Sequence, residues 1–155
     1  MNLLPTFFIF LVCCSSLTAG SFKRVVIDPG HGGKDKGAIW GGVRESDLNL
    51  KVAKKLANIL KAHGLDVTLT RESDSFVSLR RRADLSNRYH NTIFVSIHFN
   101  ASTYTYVRGG ETFYASKSGK RLAQAIQSRM VSRLNLKDRK IRLGSQYAVL
   151  NKTHC

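Results

Sequence analysis

Arg24 to Gly33 reads RVVIDPGHGG, and the change of character within it decides the fold. Val25, Val26 and Ile27 are β-branched or apolar and suit a buried strand, whereas Asp28, Pro29 and Gly30 end the ladder at once. His31 is therefore presented at the end of a strand. Glycines on both sides remove bulk and permit unusual backbone angles, so a ligand or an ion can approach the imidazole closely. Two other readings fit the stretch equally: a solvated surface histidine, and a glycine-rich turn that cradles phosphate.

Outward from this stretch, strands alternate with helices. A Gly-rich loop runs from Gly30 to Gly42, followed by ESDLNLKVAKKLANILKAHG, in which Leu48, Val52, Leu56, Ile59 and Leu60 recur at helical spacing. Ser46 or Asp47 is expected to cap this helix and Gly64 to end it, with Lys61 and His63 suiting its C-terminal dipole. Leu65 to Thr70 alternates as a strand, Ser78 to Tyr89 reads as a short basic helix, and Thr92 to His98 as a buried strand. GGETFYAS suggests a further strand, SGKRLAQAIQSRMVSRLNL a helix with Leu122, Ile126, Met130 and Leu134 on one face, and QYAVLN the start of another strand. The expected fold is α/β: a single domain with a mostly parallel open β-sheet flanked by helices.

The 155 residues suffice for one domain with a sizeable core, and 43% hydrophobic with 23% charged residues is ordinary for a globular protein, so disorder is not the expected reading. The charge is lopsided: 25 Lys and Arg against 10 Asp and Glu give +15, favouring an anionic partner or surface. Basic residues are dispersed and not interleaved with aromatic ones, so no nucleic-acid partner is expected, and an anionic cell envelope accounts for the charge at least as well.

Residues 1–20, MNLLPTFFIFLVCCSSLTAG, carry no charged side chain, and their apolar run is too short to span a bilayer. They read as a secretory signal with small residues at Thr18, Ala19 and Gly20 for cleavage, which implies a periplasmic or secreted protein with no stable membrane span after removal. A short anchor, or an uncleaved segment packed on the domain, is the alternative. Removal would leave Cys155 alone, with no disulfide and no cysteine-rich metal site.

In open α/β sheets, functional groups gather beyond the carboxyl ends of strands. His31 follows one strand and His98 ends another, so distant positions converge on one sheet edge. Glu45, beside a helix N-terminus, is placed to reach the same edge. Two imidazoles and one carboxylate leave a position open on a zinc ion, as catalytic sites do, whereas structural sites are closed by four protein ligands.

At this point the chain resembles the zinc-dependent N-acetylmuramoyl-L-alanine amidases of bacterial cell-wall remodelling. The resemblance rests on IDPGHGGKDKGA, RESDLNLKVAKKLANILKAHGLDVTLTR, LRRRADLSN and FVSIHFNA, in the family's order and covering Val25 to Leu150. It implies a catalytic domain over residues 21–155, with His31, Glu45 and His98 as Zn2+ ligands. The implied reaction is hydrolysis of the amide between the lactyl group of N-acetylmuramic acid and L-alanine of the peptidoglycan stem. An activator protein is a further possible partner. In that chemistry zinc lowers the pKa of water toward about 7 and polarises the carbonyl, while a carboxylate carries the proton to the leaving amine.

The family's general-base Glu follows a final strand, and this chain reaches YAVLNKTHC where that stretch should begin. The resemblance thus implies a domain incomplete at its C-terminus, without that strand. Glu111 is the substitute candidate for the catalytic carboxylate, a solvated Glu at a strand start being the simpler reading. Arg71, Arg82 and Asn87 match recurring family positions and are read as ion-pairing and loop-anchoring residues. His63 and His90 are read as structural, and the His154–Cys155 pair as accidental. Asp28 is expected either to orient His31 through its second ring nitrogen or to cap the turn.

Overall fold

A computed structural model describes residues 7–14, 22–102, 104 and 106–154. Its elements are β1 (Phe7–Cys14), β2 (Arg24–Pro29), β3 (Ile39–Trp40), β4 (Val43–Arg44), α1 (Glu45–Ala62), β5 (Asp66–Leu69), α2 (Leu79–Ser86), β6 (Thr92–His98), β7 (Gly109–Tyr114), α3 (Lys117–Leu134), β8 (Asp138–Leu143) and α4 (Ala148–Asn151).

Six strands form one sheet in the order β5-β2-β6-β1-β7-β8. Every neighbouring pair is parallel except β1 with β6. The expected mostly parallel α/β sheet is therefore present. β2 lies between two partners, Val26 opposite both Thr68 and Phe94, so it needs apolar residues on both faces. Val25, Ile27, Ile93, Val95 and Ile97 pack with Ala53 and Ala57 of α1 on one face. Val26, Phe94 and Phe113 pack with Val149 and Leu150 of α4 on the other. The two-residue alternation of the pleat assigns each side chain its face.

Several sequence expectations require correction. QYAVLN does not begin a strand: Ala148–Asn151 is a single helical turn, and Val149 and Leu150 are buried against the sheet. β8 arises from DRKIRL, whose exposed charges conceal a strand from hydrophobic patterning. The cap of α1 is Arg44, without a side-chain bond, and Ser46 and Asp47 fall inside the first turn. The most buried line of α1 is Ser46, Asn49, Ala53 and Ala57, small or polar residues that let the helix approach the sheet, while Ile59 is exposed. On α3, Leu134 is exposed and Gln127 is buried instead, its amide donating to the Gly110 carbonyl and to Asp138, its oxygen accepting from Thr112.

The stretch expected to be an export signal contains β1, whose backbone pairs with His98 back to Ile93 on one side and with Gly109 to Tyr114 on the other. The expected cleavage positions and Cys155 lie outside the described residues.

Candidate metal centre

β2 ends by delivering Pro29, Gly30 and His31, and their carbonyls are captured by buried donors. The Arg71 guanidinium donates to the Pro29, Gly30 and Ser46 carbonyls. Arg82 donates to the Pro29 and His31 carbonyls, each at 2.7 Å, and the Asn49 amide donates to Gly30 at 3.0 Å. Held this way, His31 adopts a left-handed φ of 60°, a conformation that persists in non-glycine residues only where surroundings enforce it. His98 arrives from the end of β6, and Gly30 makes room for it: a Cβ at position 30 would overlap the His98 ring.

Glu45 opens α1 and turns toward the same edge. Its backbone N–H donates to the Ala38 carbonyl at 2.8 Å and its Oε2 accepts from the Ala38 N–H at 3.0 Å. The β3–β4 hairpin, joining Ile39 to Arg44, thus fixes the carboxylate from below. Its Oε1 accepts from the Phe99 N–H and lies 3.2 Å from His31 Nε2 and 3.0 Å from His98 Nδ1. The imidazoles meet edge to face with centroids 4.8 Å apart. A Cβ on Gly37, at φ +63°, would come within 2.6 Å of the His31 ring and 2.8 Å of Glu45 Oε2.

Three ligand atoms, one each from His31, Glu45 and His98, lie within 4.8 Å of one another. Two imidazoles and a carboxylate suit Zn2+ and neighbouring borderline cations, with a coordination position left over. The donors converge while both histidines keep partial exposure, so the residues fit an ion reached from solvent. Asp35 completes the arrangement: both its oxygens lie within 3.0 Å of His31 Nδ1. A carboxylate only accepts, so Nδ1 carries a proton toward Asp35; protonated at Nε2 as well, His31 also donates to Glu45, and loss of that second proton frees Nε2 for an ion. The expected partner of that nitrogen, Asp28, does something else. It is 1% exposed and accepts from Thr70 Oγ1, Ser96 Oγ and Arg82 Nη1.

These contacts shift the titrations. Burial disfavours the Glu45 anion, yet hydrogen bonds from His31, His98 and the Ala38 N–H outweigh it and hold the carboxyl far below its usual range. The hydrogen bond to Glu45 raises His31 despite burial, with Asp35 adding to the rise. Burial likewise opposes Asp35 ionisation, but the bonds from His31 and the Gly37 N–H prevail and lower it.

A cavity of about 260 Å3 opens beside the two histidines, walled by Leu79, Tyr147, Ala148 and Val149 with Asn100 at its rim. None of these five was singled out from the sequence, because loop and helical-turn residues carry no periodic signal. Glu111 stands apart from the cluster: buried on β7, its Oε1 is 2.7 Å from Arg142 and its Oε2 3.4 Å from Arg139. Asn87 anchors the C-terminal turn, donating to the Lys152 carbonyl and accepting from the His154 N–H. His63 closes α1, its Nδ1 donating to the Ile59 carbonyl.

The family model described as N-acetylmuramoyl-L-alanine amidase matches residues 25–155. The N-acetylmuramoyl-L-alanine amidase LytC of Bacillus subtilis is 36% identical over 131 residues, which cover 82% of this chain and 26% of LytC. The chain thus spans about a quarter of that relative. The catalytic domain of the amidase CwlV from Bacillus (Paenibacillus) polymyxa superposes with a TM-score of 0.79 at 38% identity, covering 86% of this chain and 75% of CwlV. The CwlD amidase of Clostridioides difficile, solved in complex with the GerS lipoprotein, superposes at 0.77 with 28% identity, covering 83% of this chain and 75% of CwlD.

Proposed function

The chain belongs to the N-acetylmuramoyl-L-alanine amidase family, and from that premise we propose that it cleaves the amide between N-acetylmuramic acid and L-alanine of peptidoglycan stems with Zn2+ held by His31, Glu45 and His98. The observation that carries the proposal is the convergence of those three side chains at one edge of the sheet. When bound, the ion supplies Lewis acidity, activating water and polarising the scissile carbonyl.

The protein's own part is preorganisation. Asp35 fixes the His31 tautomer, the Ala38 and Phe99 N–H groups aim the Glu45 carboxylate, and Arg71 and Arg82 clamp the turn that carries His31. The neighbouring cavity offers apolar walls for the small methyl-bearing groups that flank the scissile amide, with Asn100 able to bond a peptide group. The sequence candidate for carrying the proton to the leaving amine, Glu111, is committed to ion pairs with Arg142 and Arg139. That role requires its carboxylate to leave Arg142 and Arg139, so a zinc-containing wall-binding protein without turnover is the second reading.

The proposed setting is the periplasm or the cell exterior, reached through residues 1–20, with an activator protein as the proposed partner; CwlD was solved in complex with a lipoprotein, GerS. Digestion of purified peptidoglycan by zinc-loaded protein, followed by mass analysis, tests the reaction. Intact stems with a free L-alanine amine support it. Shortened stems or deacetylated sugars would contradict it, and binding to the wall without any release favours the second reading.

A further inference from the structure

The single tryptophan of this chain, Trp40, stands exposed on the β3–β4 hairpin that carries the metal ligand Glu45. It is 44% exposed, and its hairpin neighbours Ile39 and Val43 are 59% and 39% exposed. An indole offers about 150–250 Å2 of surface to bury, so leaving it in water forgoes stability. The turn itself does not require it. Gly41 and Gly42 form the turn at φ 56° and 80°, and a Cβ on either would meet nothing within 4 Å. The tip is thus bare, and the indole behind it is open to a ligand.

The hairpin ladder decides which way Trp40 faces. Trp40 pairs with Val43 and Ile39 with Arg44, and the next pair is Ala38 with Glu45, joined by the Glu45 N–H donating to the Ala38 carbonyl at 2.8 Å. Arg44 is extended, at φ -92° and ψ 137°, so the two-residue alternation of the pleat runs on to Glu45. Trp40 and Val43 therefore share a face with Glu45, about 7 Å along the strand from it. Ile39 and Arg44 take the other face, where Arg44 pairs with Asp47 and Asp74. Lys36, on the approach to the hairpin, is also paired with Asp74. The charges here clamp the base of the hairpin, and the face toward the metal centre presents a planar apolar surface.

An amide held at the metal brings a stem peptide on one side and a sugar on the other. A β-linked pyranose is neutral and shows a face of axial C–H bonds, which packs flat on an aromatic ring while its equatorial hydroxyls stay in water. That chemistry fits an exposed indole whose neighbouring cations are already paired. We propose that Trp40, flanked by its cross-strand partner Val43, is a stacking platform for a sugar ring of the glycan strand next to the scissile amide. The identity of that sugar polymer rests on the amidase reading above.

Because Trp40 is the chain's one tryptophan, its emission reports on the platform directly. The full chain, loaded with zinc, is titrated with the β-linked tetramer of N-acetylglucosamine, and a saturable blue shift is expected. No shift, or a larger one with phosphatidylglycerol vesicles, would overturn the proposal. Kinetics then use two soluble substrates, a disaccharide-peptide and a lactyl-peptide without sugars. Trp40→Ala is expected to raise KM about tenfold for the first, with kcat and zinc content unchanged, and to leave the second unaffected. Trp40→Phe should recover most of the loss and Trp40→Leu little of it, since stacking needs a flat ring. Ile59→Ala, which removes an exposed apolar side chain from α1, should change neither substrate. An equal rise in KM for both substrates, a loss of zinc in Trp40→Ala, or full recovery by Trp40→Leu would each overturn the platform. A saturable emission shift without cleavage of either substrate would support the platform while contradicting the amidase reading.

Discussion

Arg82 is the residue whose loss should be felt farthest. Its side chain is 3% exposed, and it donates to Asp28 Oδ1 and to the carbonyls of Val77, Pro29 and His31. Arg82→Ala strands a buried carboxylate and releases the turn that presents His31. Breaking a buried ion pair on one side costs about 3–5 kcal/mol. Asp28 keeps two neutral donors, Thr70 and Ser96, which places the expected loss near the lower end, about 3–4 kcal/mol. With a urea m-value of about 2 kcal/mol/M, the unfolding midpoint of the metal-free protein should fall by about 1.5–2 M. Zinc affinity should fall as well, since the His31 carbonyl loses its anchor. Arg82→Lys retains the charge but has a single nitrogen for four acceptors, and should recover only part of the loss. A midpoint shift worth less than about 1 kcal/mol with unchanged zinc affinity would refute the reasoning, because it would mean Asp28 and the turn are held without Arg82.

Asp35→Asn should weaken zinc binding by about 10- to 100-fold with little change in folding, as measured by competition against a chromophoric chelator, because the charged acceptor on His31 Nδ1 is lost while an amide oxygen can still take the Gly37 N–H. Gly30→Ala should abolish high-affinity zinc binding while leaving the far-UV spectrum intact, since the new methyl displaces the His98 ring; retained affinity would show that the ring position is not fixed by that glycine. Two titrations set the pH profile of metal-free protein stability. Glu45 is lowered from 4.5, so its contribution is present above that value and lost as pH falls; His31 is raised from 6.5, so its contribution is full below 6.5 and lost as pH rises through the higher value. Urea midpoints should therefore peak between about pH 5 and 6.5. Zinc affinity should instead keep rising with pH, because the ion competes with the His31 proton. Glu111→Ala should change muropeptide turnover by less than about threefold, and a collapse of turnover with zinc retained would identify Glu111 as the proton carrier.

The sequence showed the centre's frame and hid its supports, for physical reasons. His31 and His98 were legible because each terminates a run of strand-forming residues, and the pleat and parallel order then bring the two ends together. Glu45 was legible as the acidic residue at a helix start. Asp35 was not, because its bond to His31 spans a tight loop built on left-handed backbone at Gly32 and Gly33, which no periodicity announces. Asp28, nearer in sequence to a strand end, drew the expectation instead and proved to be the buried partner of Arg82. β8 escaped notice because an edge strand is permitted its charges, and α4 because a single buried turn of AVLN has the composition of a strand.

The central claim is that His31, Glu45 and His98 together hold one divalent ion, and metal content measures it most directly. The full chain and its His31→Ala, Glu45→Ala and His98→Ala variants would be loaded with zinc, freed of excess and assayed for metal per folded chain. The account predicts about one equivalent in the parent and almost none in each variant, since two remaining ligands hold zinc poorly. Undiminished zinc in any folded variant would contradict it.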